Sequence, residues 1–287
     1  MKYRFICDHE HAMPVRGLCA LLHVSRSAYY RWRKIGPSCR EQHNETLLSA
    51  IYDVHHQSRQ IYGSPRICDA LRQRGFICNR KRVARLMRLS GIRAKTVRRF
   101  KVTTRSRATH IVTPDLVQRR FVASSPNRVW TTDITYIWTR EGWTYLAVVL
   151  DLFSRMIVGW ETSPRLTASL VTSALRRAIS CRRPTEGLIL HSDRGSQYTS
   201  DQVRSFAKEQ SIQLSVGRTG SCYDNAVTES FFHTLKTEHV YFHCYETRQD
   251  ARTSIFDYIE TFYNQNRLHS TIGNLAPAKY ELQFAVP

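Results

Sequence analysis

Three carboxylates and one lysine stand in local settings that suit metal-dependent chemistry. Asp133 interrupts a run of β-branched and aromatic residues that predicts a strand. An acid in such a strand costs free energy unless it is paired or binds a metal. Asp193 closes a second apolar run just before a turn signal, and Glu229 shares one face of a predicted helix with Lys236, seven residues later. This set indicates a site for divalent metal ions that acts on a phosphodiester.

Each acid taken alone has a simpler explanation. Asp193 could be a turn aspartate, Glu229 a solvated helix residue and Asp133 an acid near a strand edge. Spacing does not decide the question, because residues 121–287 contain 16 acids and many pairs share any chosen separation. The combination of the three settings favours a common site.

The elements that would position these residues follow from the apolar periodicity. The predicted strands are 128–139, 142–153, 155–162, 187–193 and 212–217, and the predicted helices are 167–180, 200–210 and 224–241. A three-strand meander followed by alternating helices and strands predicts an α/β fold, a mixed five-stranded sheet flanked by helices of the ribonuclease-H-like type. Asp133 would then lie on the central strand, Asp193 at the end of its neighbour and Glu229 on a helix.

The positive charge of the chain is concentrated near its start. Residues 1–120 carry 26 Lys/Arg against 7 Asp/Glu, a net charge of +19, while the rest carry 17 against 16. Such an excess favours a polyanionic partner, most simply nucleic acid, with a membrane surface as the weaker alternative. No apolar run approaches the roughly 18 residues of a spanning helix, and the start lacks the apolar segment of a signal peptide. We therefore expect an intracellular protein that does not enter a membrane.

The basic region predicts an all-α, helix-turn-helix DNA-binding architecture. Residues 15–34 outline two short helices around a turn, with Ser25 as the second cap and Leu18, Leu21, Leu22 and Val24 packing against Ala28, Tyr29 and Trp32. A clearer outline follows in three helices near 44–56, 66–74 and 80–90, where Ser64 and Asn79 are the predicted caps.

The last of these helices has two different faces. Val83, Leu86 and Met87 form its predicted inner face, and the opposite side carries Lys81, Arg85 and Arg88. This helix could lie in a DNA major groove, although an amphipathic surface helix with ordinary basic residues would have the same pattern.

A basic linker is predicted after the helices, with Arg98, Arg99 and Lys101 tracking phosphate. The predicted division is 1–40 for an N-terminal helix-turn-helix-like segment, 41–95 for the helix-turn-helix domain, 96–123 for the linker, and 124–287 for the catalytic core with a C-terminal helical extension.

Two other groups have metal-ligand residue types but poorer spacing. They are Cys7, His9, His11 and Cys19, and the pair His239 and His243. The first spacing fits no compact zinc finger, and the second lacks the intervening acid of a zinc-protease motif, so surface histidines are favoured there. The eight cysteines contain no two-residue spacing, which indicates reduced thiols.

Several ordered motifs closely resemble a known family. They are WTTDITY (130–136), YLAVVLDLFSR (145–155), HSDRGSQY (191–198), GSCYDNAVTESFF (220–232) and YNQNRLHS (263–270), with YGSPRI (62–67) in the basic region. The chain resembles the OrfB-type DDE transposases of the insertion sequence three group of bacteria and, more distantly, the retroviral integrase superfamily.

This resemblance implies a set of roles for residues of this chain. Asp133, Asp193 and Glu229 would be the catalytic residues and would hold two Mg²⁺ ions, with Mn²⁺ as a substitute, while Lys236 contacts DNA phosphate. Asn225 and His191 would support the metal ligands. Water would nick the element end, and the freed 3′ hydroxyl would then join it to another strand. The implied partners are double-stranded DNA of the element ends and of the target, and the implied location is the bacterial cytoplasm, at the nucleoid.

The resemblance also raises a question about completeness. Members of this family usually act as a frameshift fusion with a first-frame product that carries a leucine zipper, whereas this chain has no sustained heptads at its start. We therefore expect self-association and a first-frame partner. The alternatives are a catalytically silent DNA-binding regulator and a plain nuclease of the same fold.

Overall fold

A computed structural model describes residues 2–35, 38–95, 123–217 and 226–284. The chain divides into two units, Met1–Arg93 and Ala94–Pro287. Arg98, Arg99 and Lys101 of the predicted linker lie outside the described residues, as does Asn225.

The first unit begins with three short helices: α1 (Lys2–His9), α2 (Val15–Leu21) and α3 (Arg26–Ile35). Their shared core contains Leu18, Cys19 and Tyr29 together with Ile6 of α1, a helix that the sequence pattern did not predict. The hydroxyl of Ser25 accepts the backbone N–H of Ala28 at 3.2 Å, as a cap of α3 should.

The predicted packing of Leu21 is wrong. Its side chain is exposed, because the inner face of α2 runs through Leu18 and Cys19 and continues to Leu22. That direction leaves Leu21 on the solvent side of the same short helix.

Three further helices complete the first unit: α4 (Cys39–Gln57), α5 (Ser64–Gln73) and α6 (Arg80–Leu89). Asn79 caps α6 as predicted, because its Oδ1 accepts the N–H of Arg82 at 2.8 Å. The cap predicted at Ser64 is wrong, since α5 already begins at Ser64 and Gly63 is its N-cap. Gly75 and Gly91 follow α5 and α6 with φ of 86° and 69°, a left-handed conformation that glycine adopts without strain.

The second unit is built on a five-stranded mixed sheet. Its strands are β1 (Val129–Thr139), β2 (Gly142–Asp151), β3 (Ile157–Ser163), β4 (Ile189–Ser192) and β5 (Gln213–Val216). Their order is β3-β2-β1-β4-β5. The first three strands pair antiparallel, and β4 pairs parallel to both β1 and β5. The predicted meander and the central position of β1 are confirmed.

Helices cover this sheet and continue beyond it. They are α7 (Ala168–Arg182), α8 (Asp201–Glu209), α9 (Ala226–Glu238), α10 (Arg248–Phe256), a π-helical segment (Asp257–Tyr263) and α11 (Pro277–Leu282), with short 3₁₀ turns at Val240–Phe242 and Ser270–Ile272. The helix predicted over 224–241 therefore ends earlier, at Glu238. No helix in the described part of the chain is both long and apolar enough to cross a membrane.

One face of the sheet packs against α7 and α8 in a continuous core. Trp130, Ala147 and Val149 of the sheet are fully buried there with Leu175 of α7. At Gly159 the contact is so close that an added Cβ would lie 2.5 Å from the carbonyl oxygen of Ala174. The absence of a side chain at this residue therefore lets α7 lie directly on β3.

Candidate catalytic site

Asp133 lies midway along β1, opposite Val148 of β2. Its side chain is half-buried, and its Oδ1 accepts the backbone N–H of Ile134 at 2.7 Å. The strand is held on both edges, by β2 and by β4. This pairing fixes the backbone that carries the carboxylate.

Asp193 directly follows β4, the parallel neighbour of β1. The last pair in that ladder is Thr131 with His191, so Asp193 follows the end of the strand that lies next to β1. Asp193 is exposed, and its Oδ1 accepts the N–H of Gly195 at 2.9 Å. The turn that begins here therefore orients the carboxylate at the end of the strand.

Glu229 is held on the sheet through the residue before it. The buried hydroxyl of Thr228 donates a hydrogen bond of 2.7 Å to the hydroxyl of Thr131. This contact joins the first turn of α9 to β1, two residues before Asp133. Glu229 itself is exposed.

The four predicted side chains act on one another electrostatically. Burial raises the pKa of Asp133 to about 8, and the charges of Asp193 and Glu229 add to that rise, while the N–H of Ile134 and the charge of Lys236 oppose it. Burial and then Asp193 raise the pKa of Glu229. Burial lowers the pKa of Lys236, and Asp133 opposes that change. Asp193, Glu229 and Lys236 therefore all lie within electrostatic range of Asp133.

These carboxylates do not form a closed metal cage. Among the described residues, no three or more His, Cys, Asp or Glu side chains are grouped closely enough to hold a metal ion. The same holds for the cysteine and histidine group near the start: Cys19 is part of the buried core, and Nδ1 of His9 is hydrogen bonded to the carbonyl of Phe5 at 2.9 Å. The seven cysteines that the structure describes are all free.

His191 lies inside the sheet, between the strands that flank β4. It is almost completely buried, and its Nδ1 is 2.9 Å from the hydroxyl of Ser215 on β5. The imidazole thus ties β4 to β5 two residues before Asp193.

Sequence reasoning missed the contacts that hold the far end of α9. Glu238, the last residue of that helix, accepts two hydrogen bonds of 2.7 Å from the guanidinium of Arg267 and one of 2.9 Å from the hydroxyl of Tyr258. Burial lowers the pKa of Arg267, but the hydrogen bonds and charge of Glu238 outweigh it and raise that pKa. The helix that carries Glu229 is therefore fixed at both ends.

The same C-terminal segment also holds the edge strand β3. The Asn264 side chain donates to the carbonyl of Ile157 and accepts its N–H, both at 3.0 Å, and the hydroxyl of Tyr263 donates to the carbonyl of Arg155 at 3.1 Å. The motif at 263–270 contains these residues and Arg267. This motif was visible in the sequence, but the sequence alone assigned no role to its residues.

The prediction of surface histidines at His239 and His243 is wrong for the first of them. His239 is buried, with Nε2 at 2.7 Å from the hydroxyl of Ser254 and its ring stacked on Tyr258. Because α9 ends at Glu238, His239 turns inward instead of staying on a helix surface. His243 is exposed.

In the first unit, α6 has the two faces that its sequence predicted. Val83, Leu86 and Met87 are buried, whereas Lys81, Arg85 and Arg88 are exposed. Arg82 is different, because its Nε donates to Oδ1 of Asn44 at 2.9 Å. The exposed basic side of the second helix of the helix-turn-helix therefore points away from the core.

Fold and site together define an integrase-core enzyme. Residues 123–222 match a family model described as an integrase core domain, residues 229–284 match a second integrase core model, and residues 42–100 match an HTH-like domain. The polynucleotidyl transferases share this core. Its combination with an HTH-like domain points to DNA as the partner.

Relatives narrow the class to one family. The chain is 41% identical over 283 residues to "Transposase InsF for insertion sequence IS3A" of Escherichia coli (strain K12), which covers 98% of both chains. It is 40% identical over 267 residues to an uncharacterized 31 kDa protein of insertion element IS600 from Shigella sonnei, covering 93% of this chain and 98% of that one. The chain belongs to the IS3 family of insertion-sequence transposases, as its motifs predicted.

A solved structure shows a more distant likeness. A chain of the simian T-cell lymphotropic virus intasome, in complex with PP2A regulatory subunit B56 gamma, is 16% identical, with a TM-score of 0.49. The match covers 76% of this chain and 70% of that chain.

Proposed function

We propose that this transposase cuts DNA at the ends of its insertion sequence and joins them to another strand, with Asp133, Asp193 and Glu229 as the catalytic metal ligands. The observation that supports the proposal is the placement of the three acids: Asp133 lies on β1, Asp193 directly follows the parallel strand β4, and the first turn of α9, which carries Glu229, is hydrogen bonded to β1. Attack in line on a phosphodiester needs no covalent protein intermediate, so the site requires no nucleophilic side chain.

The donor set suits magnesium. Three carboxylates supply only hard oxygen ligands, which Mg²⁺ and Mn²⁺ prefer over softer donors. Burial and like charges already oppose ionisation of Asp133, and a divalent cation would offset both. Two bound Mg²⁺ ions would supply activation of the attacking oxygen and stabilisation of the leaving oxygen; Mn²⁺ would substitute for them.

Other residues of the chain would bind and orient the DNA. Lys236 lies on the helix of Glu229 and acts on Asp133, so its ammonium would contact a phosphate next to the cut. His191 would keep β4 in register before Asp193, and Asn225 would support the metal ligands. Lys236 would hold phosphate as a point charge, without reading sequence.

The basic region would bring DNA to this site. The exposed Lys81, Arg85 and Arg88 of α6 would enter a major groove, and Arg98, Arg99 and Lys101 would follow the phosphates. The predicted division is part of this proposal: residues 1–40 and 41–95 would bind DNA, residues 96–123 would link, and residues 124–287 would catalyse.

The working assembly would contain more than one protein segment. We expect double-stranded DNA of the element ends and of the target as substrates, self-association of the chain, and a first-frame product or frameshift fusion as partner. The reaction would take place in the bacterial cytoplasm, at the nucleoid.

The test is metal-dependent nicking of a duplex that carries the element end. The full chain should nick this duplex with Mg²⁺ or Mn²⁺, and EDTA should remove the nicking activity. Glu229→Gln should abolish nicking, because the amide cannot supply the carboxylate charge. Glu186→Gln is the matched control, since Glu186 is an exposed acid in a loop of the same unit. Equal activity of Glu229→Gln and wild type would refute the assignment.

The products separate the alternative functions. Joined strands identify a transposase reaction, whereas cut strands alone identify a nuclease of the same fold. DNA binding without cutting, with or without metal and with the first-frame product supplied, identifies a regulator.

A further inference from the structure

Three large aromatic side chains stand exposed at the tip of the β1–β2 hairpin. Tyr136 is 53% exposed, Trp138 57% and Trp143 45%. Trp143 makes edge-on contacts with both others, at centroid distances of 5.1 Å to Tyr136 and 4.8 Å to Trp138. These three residues are called the aromatic platform below.

The aromatic platform continues a face of the hairpin that is otherwise covered. Toward the middle of the sheet, Ile134, Ala147 and Val149 occupy the same alternating positions and pack into the core beneath α7 and α8. Closer to the tip of the hairpin, where this face is exposed, it carries the large aromatic residues of the platform instead of polar ones. A cluster of exposed aromatic rings of this size indicates a binding surface.

Lys236 connects the aromatic platform to the helix of the candidate catalytic site. Its Nζ lies 4.7 Å from the ring centroid of Tyr136, within cation–π distance, and it shares α9 with Glu229. The odd spacing from Asp133 puts the rings of Tyr136 and Trp138 on the opposite face of the sheet from the carboxylate, so DNA that reaches both would pass the edge of β1 beyond Thr131, the last residue of β1 that pairs with β4. Along β1 the two residues are about 10 and 17 Å from Asp133 at 3.3 Å per residue. At about 3.4 Å per nucleotide, that distance spans roughly three to five bases.

We propose that the aromatic platform binds unpaired bases of the DNA strand beside the phosphodiester that is cut. The inference rests on the proposed function, which places that phosphodiester at Asp133. Aromatic rings stack on every base because each base has a π face, but only bases that have left the duplex expose it. Lys236 favours DNA over a protein partner, since a lysine in the middle of an apolar protein interface would lose its hydration, whereas beside a base it can pair with phosphate.

Binding in metal-free buffer tests this without catalysis. The full chain is titrated into two element-end duplexes, one fully paired and one with three mismatched bases at the end that carry a 2-aminopurine. We expect tighter binding of the mismatched duplex and quenching of the 2-aminopurine by stacking. Trp138→Ala combined with Trp143→Ala should weaken binding of the mismatched duplex by roughly 5- to 150-fold for each base that no longer stacks.

Two further variants guard against a folding defect. Trp138→Phe keeps a ring and should retain most of the preference for the mismatched duplex. Leu166→Ala removes an exposed apolar side chain elsewhere in the same unit and should leave binding of both duplexes unchanged.

Each other outcome overturns the proposal. Equal weakening on both duplexes would mean that the rings touch DNA without regard to pairing, and no weakening would mean that they do not touch it. Loss of self-association in sedimentation, with the preference unchanged, would identify the surface as an interface with a second copy of the chain. Glu229→Gln should keep the preference in full, so a failure of the catalytic assignment is distinguishable from a failure of this one.

Discussion

Replacing Arg267 by methionine should destabilise the second unit by about 3–5 kcal/mol. The side chain of Arg267 is 4% exposed and that of its partner Glu238 is 13% exposed. The change removes one member of a buried ion pair and leaves the other carboxylate without its counter-charge, which typically costs that amount.

Counting the hydrogen bonds of this pair gives the same magnitude for the loss of stability. Arg267 donates two bonds of 2.7 Å to Glu238, and a hydrogen bond to a charged group contributes about 1.5–3 kcal/mol. The hydroxyl of Tyr258 still bonds Glu238 at 2.9 Å in the variant, which keeps the loss nearer the lower end. Arg140→Met is the matched control, because its pair with Glu246 at 3.2 Å is 73% and 60% exposed, and exposed pairs contribute at most about 1 kcal/mol.

Urea unfolding followed by tryptophan fluorescence measures both variants. Four of the five tryptophans belong to the second unit, including the fully buried Trp130, so this signal reports mainly on that unit. A double-mutant cycle with Glu238→Gln isolates the pair energy from other effects of each change. If Arg267→Met costs no more than Arg140→Met, the argument that Arg267 holds α9 is refuted.

Two further predictions concern α9 and α6. Thr228→Val should lower the free energy of unfolding by about 1–3 kcal/mol in the same assay, because the buried Thr131 hydroxyl loses the donor that bonds it at 2.7 Å. Adding Thr131→Val should recover much of that stability, and additive losses in the double variant would contradict the hydrogen bond. Arg85→Ala with Arg88→Ala should lower DNA affinity in a salt titration and flatten its log–log slope by about one unit for each phosphate that the protein no longer neutralises. An unchanged slope would exclude these arginines from phosphate binding.

The individual strands and the local settings of the acids could be predicted because both are written in local sequence. Alternating apolar residues and a glycine turn at Gly142 specify the β1–β2 hairpin, and short apolar runs between helical stretches specify β4 and β5. Asp133 stands out because it contradicts the residues around it. Such a contradiction is visible in one sequence without any structure.

What could not be predicted depends on distant contacts. Glu238 and Arg267 are 29 residues apart, and nothing local marks either as a buried ion pair. The predicted extension of α9 to residue 241 failed for the same reason, because His239 leaves the helix to pack on Tyr258 and Ser254. Helix α1 was missed because it has only eight residues, of which Ile6 alone is fully buried.

The C-terminal segment helps to position the candidate catalytic site. Arg267 fixes the helix of Glu229 through its ion pair with Glu238, while the side chain of Asn264, three residues earlier, is hydrogen bonded to the backbone of Ile157 on β3. The segment from Asn264 to Arg267 therefore connects β3, at the edge of the sheet, to α9, the helix that carries Glu229. Asp133 on β1 and Asp193 directly after β4 are positioned by the sheet and the turn that follows it, but Glu229, on a separate helix, needs this external support. The separate matches to residues 123–222 and 229–284 thus describe halves of one catalytic unit, of which the second half positions the third acid.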